Sequence, residues 1–248
     1  VTLKMVQDHP LRIAAGSAGT VAGAKIKAWQ QVRRICQDFR WPHGPKLLHL
    51  RASNAGLRVS WFEAWQPASD DEYAFMLEDD MEVSPLFYRF GKRAALAMAP
   101  DDTIAAICLF TFQASQGPRL QWDRQQLICS WAPILFGRWW RRFLDWVATR
   151  VGTDFRPWIP FEHVSNTWVA QNKDSQAVWQ HRFFVEHALT TITLTIGRHS
   201  SAGVMARNHF EAGVHYATKR VVKQGMLAMP GPSSRVWFDI PSPYSTGG

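Results

Sequence analysis

The chain has 248 residues, 46% of them apolar, and a formal net charge of +8. This length and apolar content fit one α/β domain, or one and a half, with a real hydrophobic core, and they argue against disorder over most of the chain. The longest apolar run, residues 104–112, is far shorter than the ~20 residues that a membrane-spanning helix needs, so it is predicted to be a buried strand.

The predicted elements alternate between strands and helices through the first half of the chain. Strands are predicted at 3–6, 46–50, 73–77, 104–112 and 190–196, with one or two more within 127–136; helices are predicted at 25–39, 57–65, 84–97, 138–150 and 175–189. The glycine-rich stretch 16–23 matches no phosphate-binding motif and is interpreted as a flexible connection. The alternation predicts a mostly parallel sheet with helices on both faces.

The first predicted helix has a clear apolar periodicity. Helical spacing puts five side chains on one face: Ile26, Trp29, Val32, Ile35 and Phe39. The basic charge could attract nucleic acid, an anionic membrane or phosphorylated small molecules, but a solvated basic face is the commoner situation. Because the sequence contains no RNP pattern, we expect no nucleic-acid partner.

Neither the start of the sequence nor its cysteines identify a cellular compartment. The sequence starts at Val1 without a signal-peptide pattern, and we interpret it as part of a longer protein whose membrane anchor, if it has one, lies upstream. Cys36, Cys108 and Cys129 are far apart and form no CxxC. Neither a disulfide scaffold nor a structural zinc site is therefore expected.

An acidic triplet, Glu78-Asp79-Asp80, follows the strand predicted at 73–77. Adjacent carboxylates repel one another, so a fold keeps them together when something offsets their charge. Ligands of open α/β sheets bind beyond the carboxyl ends of the strands, and hard oxygen ligands there suit Mg²⁺ or Mn²⁺. Such a metal would bridge the carboxylates to a diphosphate. The alternative is an acidic turn whose charge favours the dipole of the next helix.

The triplet and its surroundings resemble a known family. Residues 72–85, which include the triplet, are similar to the metal-binding segment of GT-A glycosyltransferases, above all family-2-like transferases and the N-acetylglucosaminyltransferase that begins complex N-glycans. Four more segments match the order found in that group: 41–45, 54–57, 130–140 and 208–215. The five segments together span about residues 41–216.

The resemblance implies a fold and a set of donor-site residues. It implies an α/β, GT-A-like mixed sheet flanked by helices over residues 1–218, with the first nucleotide-binding strand missing, and a largely loop-like C-terminal extension over 219–248. Asp80 corresponds to the direct metal ligand, and Glu78 and Asp79 to residues beside the ribose or the donor sugar. Asn54 precedes a helix that flanks the donor. The polar cluster of residues 208–211 and His215 is interpreted as a loop that folds over the donor, with His209 or His215 near the phosphates or the metal. The alternative is a hydrogen-bonded surface turn.

The general base is predicted less directly. An inverting transferase needs a carboxylate that takes the proton from the acceptor hydroxyl, commonly at the start of a helix. Asp174 stands just before the helix predicted at 175–189, and Glu186 lies within it. The alternatives are an N-cap aspartate and a solvated or ion-paired glutamate. Trp131, Trp139 and Trp140 could stack on an acceptor sugar, although core packing is the commoner role of tryptophan.

The sequence therefore predicts a metal-dependent glycosyltransferase. It would move a sugar from a nucleotide-diphosphate donor, a UDP-sugar by resemblance, to a hydroxyl of a glycan or glycoconjugate, with inversion. Its cofactor would be Mn²⁺ or Mg²⁺, and an anchored eukaryotic form would work in the Golgi or another endomembrane lumen. The alternative is a transferase-like domain that binds glycans or nucleotides without turnover.

Overall fold

The structure is a computed structural model that describes residues 1–7, 20–110, 120–161, 163–173, 175–196 and 205–208. The chain forms two compact units. The first contains Val1–Gln66 and Asn172–Gln176, and the second contains Pro67–Gln171 and Ala177–Gly248. Within the described ranges, no helix is both long enough and apolar enough to cross a membrane.

The first unit is built on a parallel β-α-β arrangement. Its elements are β1 (Leu3–Gln7), α1 (Thr20–Asp38), β2 (Lys46–Leu50) and α2 (Leu57–Ala64). The strands pair in parallel, with Leu3 opposite Lys46. All four elements were predicted, but α1 begins at Thr20, so the end of the glycine-rich stretch is helical rather than a flexible connection. A strand and a helix thus precede the acidic triplet within this chain.

The two helices of this unit lie on opposite faces of the strand pair. Gln7 donates its side-chain amide to the carbonyl of Trp29 in α1 at 2.9 Å. Lys4 donates from Nζ to the carbonyl of Glu63 in α2 at 3.0 Å. Side chains three positions apart on a strand point to opposite faces, so these two contacts place one helix on each face.

The second unit is organised around a mixed sheet. The remaining elements are β3 (Tyr73–Phe75), β4 (Met81–Val83), α3 (Phe87–Met98), β5 (Ile104–Cys108), β6 (Leu120–Gln125), β7 (Pro133–Phe136), α4 (Gly137–Ala148), α5 (Val164–Ala170), α6 (Gln176–Glu186), β8 (Thr190–Ile196) and β9 (Ala206–Asn208). Five strands form one sheet in the order β3-β7-β5-β8-β6, and β4 pairs with β9. Only β5 and β8 pair in parallel among these five. The sheet is therefore mixed rather than mostly parallel. The elements that were not predicted are β4, β6, α5 and β9.

Helices cover both faces of the five-stranded sheet. Ile134 of β7 packs in a buried cluster with Phe90 of α3. The next residue, Leu135, lines a small cavity together with Trp140 of α4 and Phe184 of α6. Since neighbouring strand residues face opposite ways, α3 lies on one face and α4 and α6 on the other. The prediction of an α/β fold with a mixed sheet flanked by helices is confirmed at this level.

A close backbone approach explains why a glycine begins α4. A Cβ atom added to Gly137 would lie 2.5 Å from the carbonyl oxygen of Ser69 and 2.9 Å from that of Glu72. The amide of Gly137 donates to the same Glu72 carbonyl at 2.7 Å. Only a residue without a side chain fits between these backbone atoms. The helix start predicted near Gly137 is confirmed.

Candidate functional site

The acidic triplet lies in the turn between β3 and β4. Strand β3 ends at Phe75, two residues earlier than predicted, and it is a half-buried edge strand. The amide of Met81 donates to the carbonyl of Glu78 at 3.2 Å and closes the turn. Ser84 is fully buried, and its Oγ accepts from the amide of Leu86 at 3.1 Å, just before α3. The triplet is therefore fixed between a sheet strand and a helix entry.

The direction of the strands places this turn at the carboxyl edge of the sheet. Strands β3, β5 and β8 run the same way, because β7 is antiparallel to both β3 and β5, and β5 is parallel to β8. Backbone hydrogen bonds then link the chain along this edge: Met76 donates to Pro133, Leu109 to Ala132, and Met205 to Leu109, at 2.9–3.2 Å. This is the edge at which ligands of α/β sheets bind.

The three carboxylates differ in exposure. Asp79 is exposed, whereas Glu78 and Asp80 are half-buried, and the Oδ1 atom of Asp80 is inaccessible to solvent. Among the described residues, no group of three His, Cys, Asp or Glu side chains could hold a metal ion by itself. Mg²⁺ sites commonly use one or two carboxylates plus substrate phosphates. The turn offers three carboxylates, of which only Asp79 is exposed.

A disulfide and an aromatic pair lie at the same edge. Cys108, at the end of β5, is bonded to Cys129 in the loop before β7, and Cys36 is a buried free thiol. Both sulfurs lie near the carbonyl oxygen of Trp131. The half-buried ring of Trp131 packs edge-on against Phe110, with centroids 4.9 Å apart. The spacing of the cysteines does not indicate this pairing, because 21 positions separate the two half-cystines.

The other predicted tryptophans lie elsewhere in the second unit. Trp140 is buried in the core. Trp139 donates its indole N–H to the carbonyl of Asp102 at 2.8 Å, and the Arg142 guanidinium lies 4.7 Å above its ring. Both rings belong to α4, which follows β7 at the amino edge of the sheet. Of the three candidates for an acceptor surface, Trp131 is the one that shares an edge with the triplet.

Asn54 belongs to the first unit. It is half-buried in the loop that follows the carboxyl end of β2 and precedes α2. Gly56 ends this loop with a φ of 80°, a backbone conformation that glycine adopts without strain. Residues 54–56 form a loop rather than the predicted turn, and the helix predicted after them is confirmed.

Two predicted residues, Asp174 and His209, lie outside the described residues. The residue before His209 is Asn208, the last residue of β9. Its backbone partner across the strand pair is Met81, which directly follows Asp80. The structure thus brings the chain that leads to His209 beside the chain that leads from Asp80.

Glu186 lies far from the triplet along the strand direction. It is the last residue of α6, four positions before β8 begins, and so it lies at the amino edge of the sheet. Its Oε2 accepts the indole N–H of Trp146 at 2.7 Å, and its Oε1 accepts from Nε of Arg182 at 2.7 Å. Glu186 is therefore ion-paired, as in the alternative that the sequence analysis gave, and its role as a base stays a prediction.

A buried serine between two histidines was not predicted. Ser165 Oγ lies 3.1 Å from Nδ1 of His163 and 3.0 Å from Nδ1 of His181. Burial lowers the pKa of His163. Burial, followed by the nearby His163, lowers the pKa of His181 to about 4, against an opposing backbone hydrogen bond at Gln126. The residues come from α5 and α6, and their sequence spacing matches no catalytic or metal-binding motif.

A family model matches residues 25–155, and its description is the SPBC1E8.03c C-terminal domain. The match covers more than half of the chain and includes the triplet and both half-cystines. The chain belongs to this family. The description of the SPBC1E8.03c C-terminal domain family names no reaction, ligand or partner. The comparisons with curated proteins and with solved structures found no match.

Proposed function

We propose that this member of the SPBC1E8.03c C-terminal domain family is a metal-dependent glycosyltransferase of the GT-A type. The observation that carries the proposal is the position of Asp80, whose carboxylate lies in a hydrogen-bonded turn at the carboxyl edge of a mixed sheet. Carboxylates at that edge suit a divalent cation and the phosphates of a nucleotide.

In this proposal each residue of the triplet has its own role. Asp80, held half-buried in the turn, would be the ligand of Mn²⁺ or Mg²⁺, and Glu78 and the exposed Asp79 would face the ribose or the donor sugar. The bound metal would neutralise charge on the departing nucleoside diphosphate.

The first unit supplies the second part of the proposal. A parallel β-α-β arrangement is a common frame for nucleotide binding, with the ligand beyond the carboxyl ends of its strands. The loop with Asn54 follows the carboxyl end of β2, and the resemblance gives Asn54 a donor-binding role. The donor would be a UDP-sugar and the acceptor a hydroxyl of a glycan or glycoconjugate, as the resemblance implies.

The proton of the acceptor hydroxyl needs a base. Asp174 is the better candidate of the two carboxylates, because both oxygens of Glu186 already accept hydrogen bonds at the other edge of the sheet. His209 would lie near the phosphates, and the pairing of Asn208 with Met81 supports that role.

Calorimetric titration with UDP in the presence and absence of Mn²⁺ tests the donor site. We expect Mn²⁺ to strengthen UDP binding, and Asp80→Asn to remove that effect while circular dichroism shows an intact fold. Asp71→Asn, at an exposed aspartate of the same segment, is the matched control. Equal binding by Asp80→Asn and the wild type would contradict the proposal. Binding without sugar transfer would instead favour a non-catalytic binding domain.

A further inference from the structure

Helix α1 has an apolar strip that the first unit leaves exposed. The strip consists of Val32, Ile35 and Phe39, which are 46%, 67% and 47% exposed. Their spacing of three and four residues puts them on one side of the helix. The helix packs on its own unit through a neighbouring side, where Cys36 is buried. The strip thus lies beside the packed side of the helix, about 40–100° around the axis from Cys36, and remains exposed.

Hydrogen bonds at the C-terminal end of α1 fix the backbone conformation of the strip. Lys46 of β2 donates from Nζ to three carbonyls at the C-terminal end of α1, those of Cys36, Gln37 and Phe39, at 2.7–3.0 Å. The amide of Phe39 donates to the carbonyl of Ile35 at 2.9 Å and continues the helical turn. A lysine at this position satisfies carbonyls that the helix leaves without partners and favours the helix dipole. The apolar strip is therefore ordered up to its last residue.

Basic side chains accompany the strip. Helix α1 contains Lys25, Lys27, Arg33 and Arg34, and its only acidic residue is Asp38. Lys25 precedes Val32 by seven residues and Lys27 precedes Ile35 by eight, so each projects within about a quarter-turn of the strip. Both lysines are exposed. Apolar side chains flanked by bases are typical of helices that lie in the surface of an anionic membrane.

We infer that α1 docks on an anionic lipid surface, with its apolar strip among the acyl chains and its bases on the lipid phosphates. The charge of the helix argues against a second copy of this chain as the occupant, because two such helices would bring their bases together. Nucleic acid fits less well, because Phe39 offers the only ring of the strip on which a base could stack, and Val32 and Ile35 offer none. The inference concerns the first unit and is independent of Asp80.

Vesicle flotation with the whole chain tests the inference. The probes are vesicles of phosphatidylcholine alone and vesicles of phosphatidylcholine and phosphatidylserine at about 7:3. We expect the chain to float with the anionic vesicles and not with the neutral ones, and we expect high salt to weaken binding, because salt screens charges at the surface.

Variants distinguish binding through the strip from nonspecific adsorption of the protein to vesicles. Ile35→Ser should reduce binding to the anionic vesicles by at least about fivefold, because it removes the most exposed apolar side chain of the strip. Lys25→Gln and Lys27→Gln should each reduce it by about fivefold. The matched controls on α3, Leu96→Ser and Lys92→Gln, are at exposed positions and should leave it unchanged. Circular dichroism confirms that each variant is folded.

Four outcomes would overturn the inference. In the first, the wild type does not float with anionic vesicles, and in the second it floats equally with neutral ones. In the third, Ile35→Ser binds the anionic vesicles as tightly as the wild type does. In the fourth, Leu96→Ser loses as much binding as Ile35→Ser does. Sedimentation equilibrium and binding to an oligonucleotide identify the other occupants. Suppose that the wild type does not bind vesicles but forms a dimer or a complex with the oligonucleotide. If Ile35→Ser abolishes that assembly, the strip binds that partner instead.

Discussion

The imidazole rings of His163 and His181 lie edge to face, with their centroids 4.3 Å apart. Nδ1 of His163 accepts the amide N–H of Ser165 at 3.1 Å and caps α5. A proton on that nitrogen would remove the capping bond, and a second imidazolium beside it would repel the first. The pair is therefore stable in its neutral form, and the pKa of each histidine is lowered.

This pair predicts a loss of stability in acid. The pKa of His181 is about 4 in the folded chain and about 6.5 in an unfolded one. The neutral pair contributes fully to the free energy of unfolding at pH values above the pKa of the unfolded chain. This contribution falls by about 2–3 kcal/mol as the pH falls from about 6.5 towards 4. Urea unfolding at a series of pH values measures it.

A histidine variant isolates this contribution from that of the carboxylates. His181→Gln should flatten the dependence of the unfolding free energy on pH between about 6.5 and 4. His49→Gln, at an exposed position on β2, should leave it as in the wild type. An unchanged slope in His181→Gln would show that the pair does not titrate in this range.

Asp80 is predicted to be required for sugar transfer. Asp80→Asn keeps the size of the side chain and removes the charge that a divalent cation needs, so we expect turnover of a UDP-sugar to fall by at least about a hundredfold. The measurement is release of UDP at saturating Mn²⁺, with Asp71→Asn as the control. If Asp80→Asn released UDP at the wild-type rate, the triplet would have no part in the reaction.

Glu186 is predicted to stabilise the fold rather than to act as the base. Glu186→Gln removes a charge that the guanidinium of Arg182 contacts at 2.7 Å, and we expect the free energy of unfolding to fall by about 1–2 kcal/mol. Turnover at a permissive temperature should stay within about twofold of the wild type. A variant that is as stable as the wild type but inactive would assign the proton transfer to Glu186.

The Cys108–Cys129 bond is predicted to stabilise the carboxyl edge. It closes a loop across 21 positions, and loop-closure entropy gives about 3 kcal/mol for a loop of that length. The double variant Cys108→Ser/Cys129→Ser should lower the urea midpoint accordingly, and Cys36→Ser serves as the thiol control. If dithiothreitol left the midpoint of the wild type unchanged while mass spectrometry showed reduced cysteines, the bond would not contribute.

Local signals in the sequence were sufficient for most elements. Helix α2 and strand β2 follow from periodicity and from the Asn54–Gly56 loop, and the start of α4 follows from Gly137. Strand β6 was missed because its alternation is short: Leu120 and Trp122 are its only apolar residues, and two polar residues end it. It pairs along β8 at the edge of the sheet, where polar residues are tolerated. Such pairing is a property of the neighbouring strand and not of the segment itself.

The sequence by itself determined the α/β class, the order of most elements and the acidic triplet as the feature to examine. These depend on residue type and on spacing within a dozen or so positions, which one chain shows directly. Only the tertiary structure decided that Asp80 and Glu186 lie at opposite edges of the sheet, that Cys108 meets Cys129, and that Ser165 lies between two histidines. Each of these relationships depends on how distant strands and helices are oriented, and no local pattern carries that information.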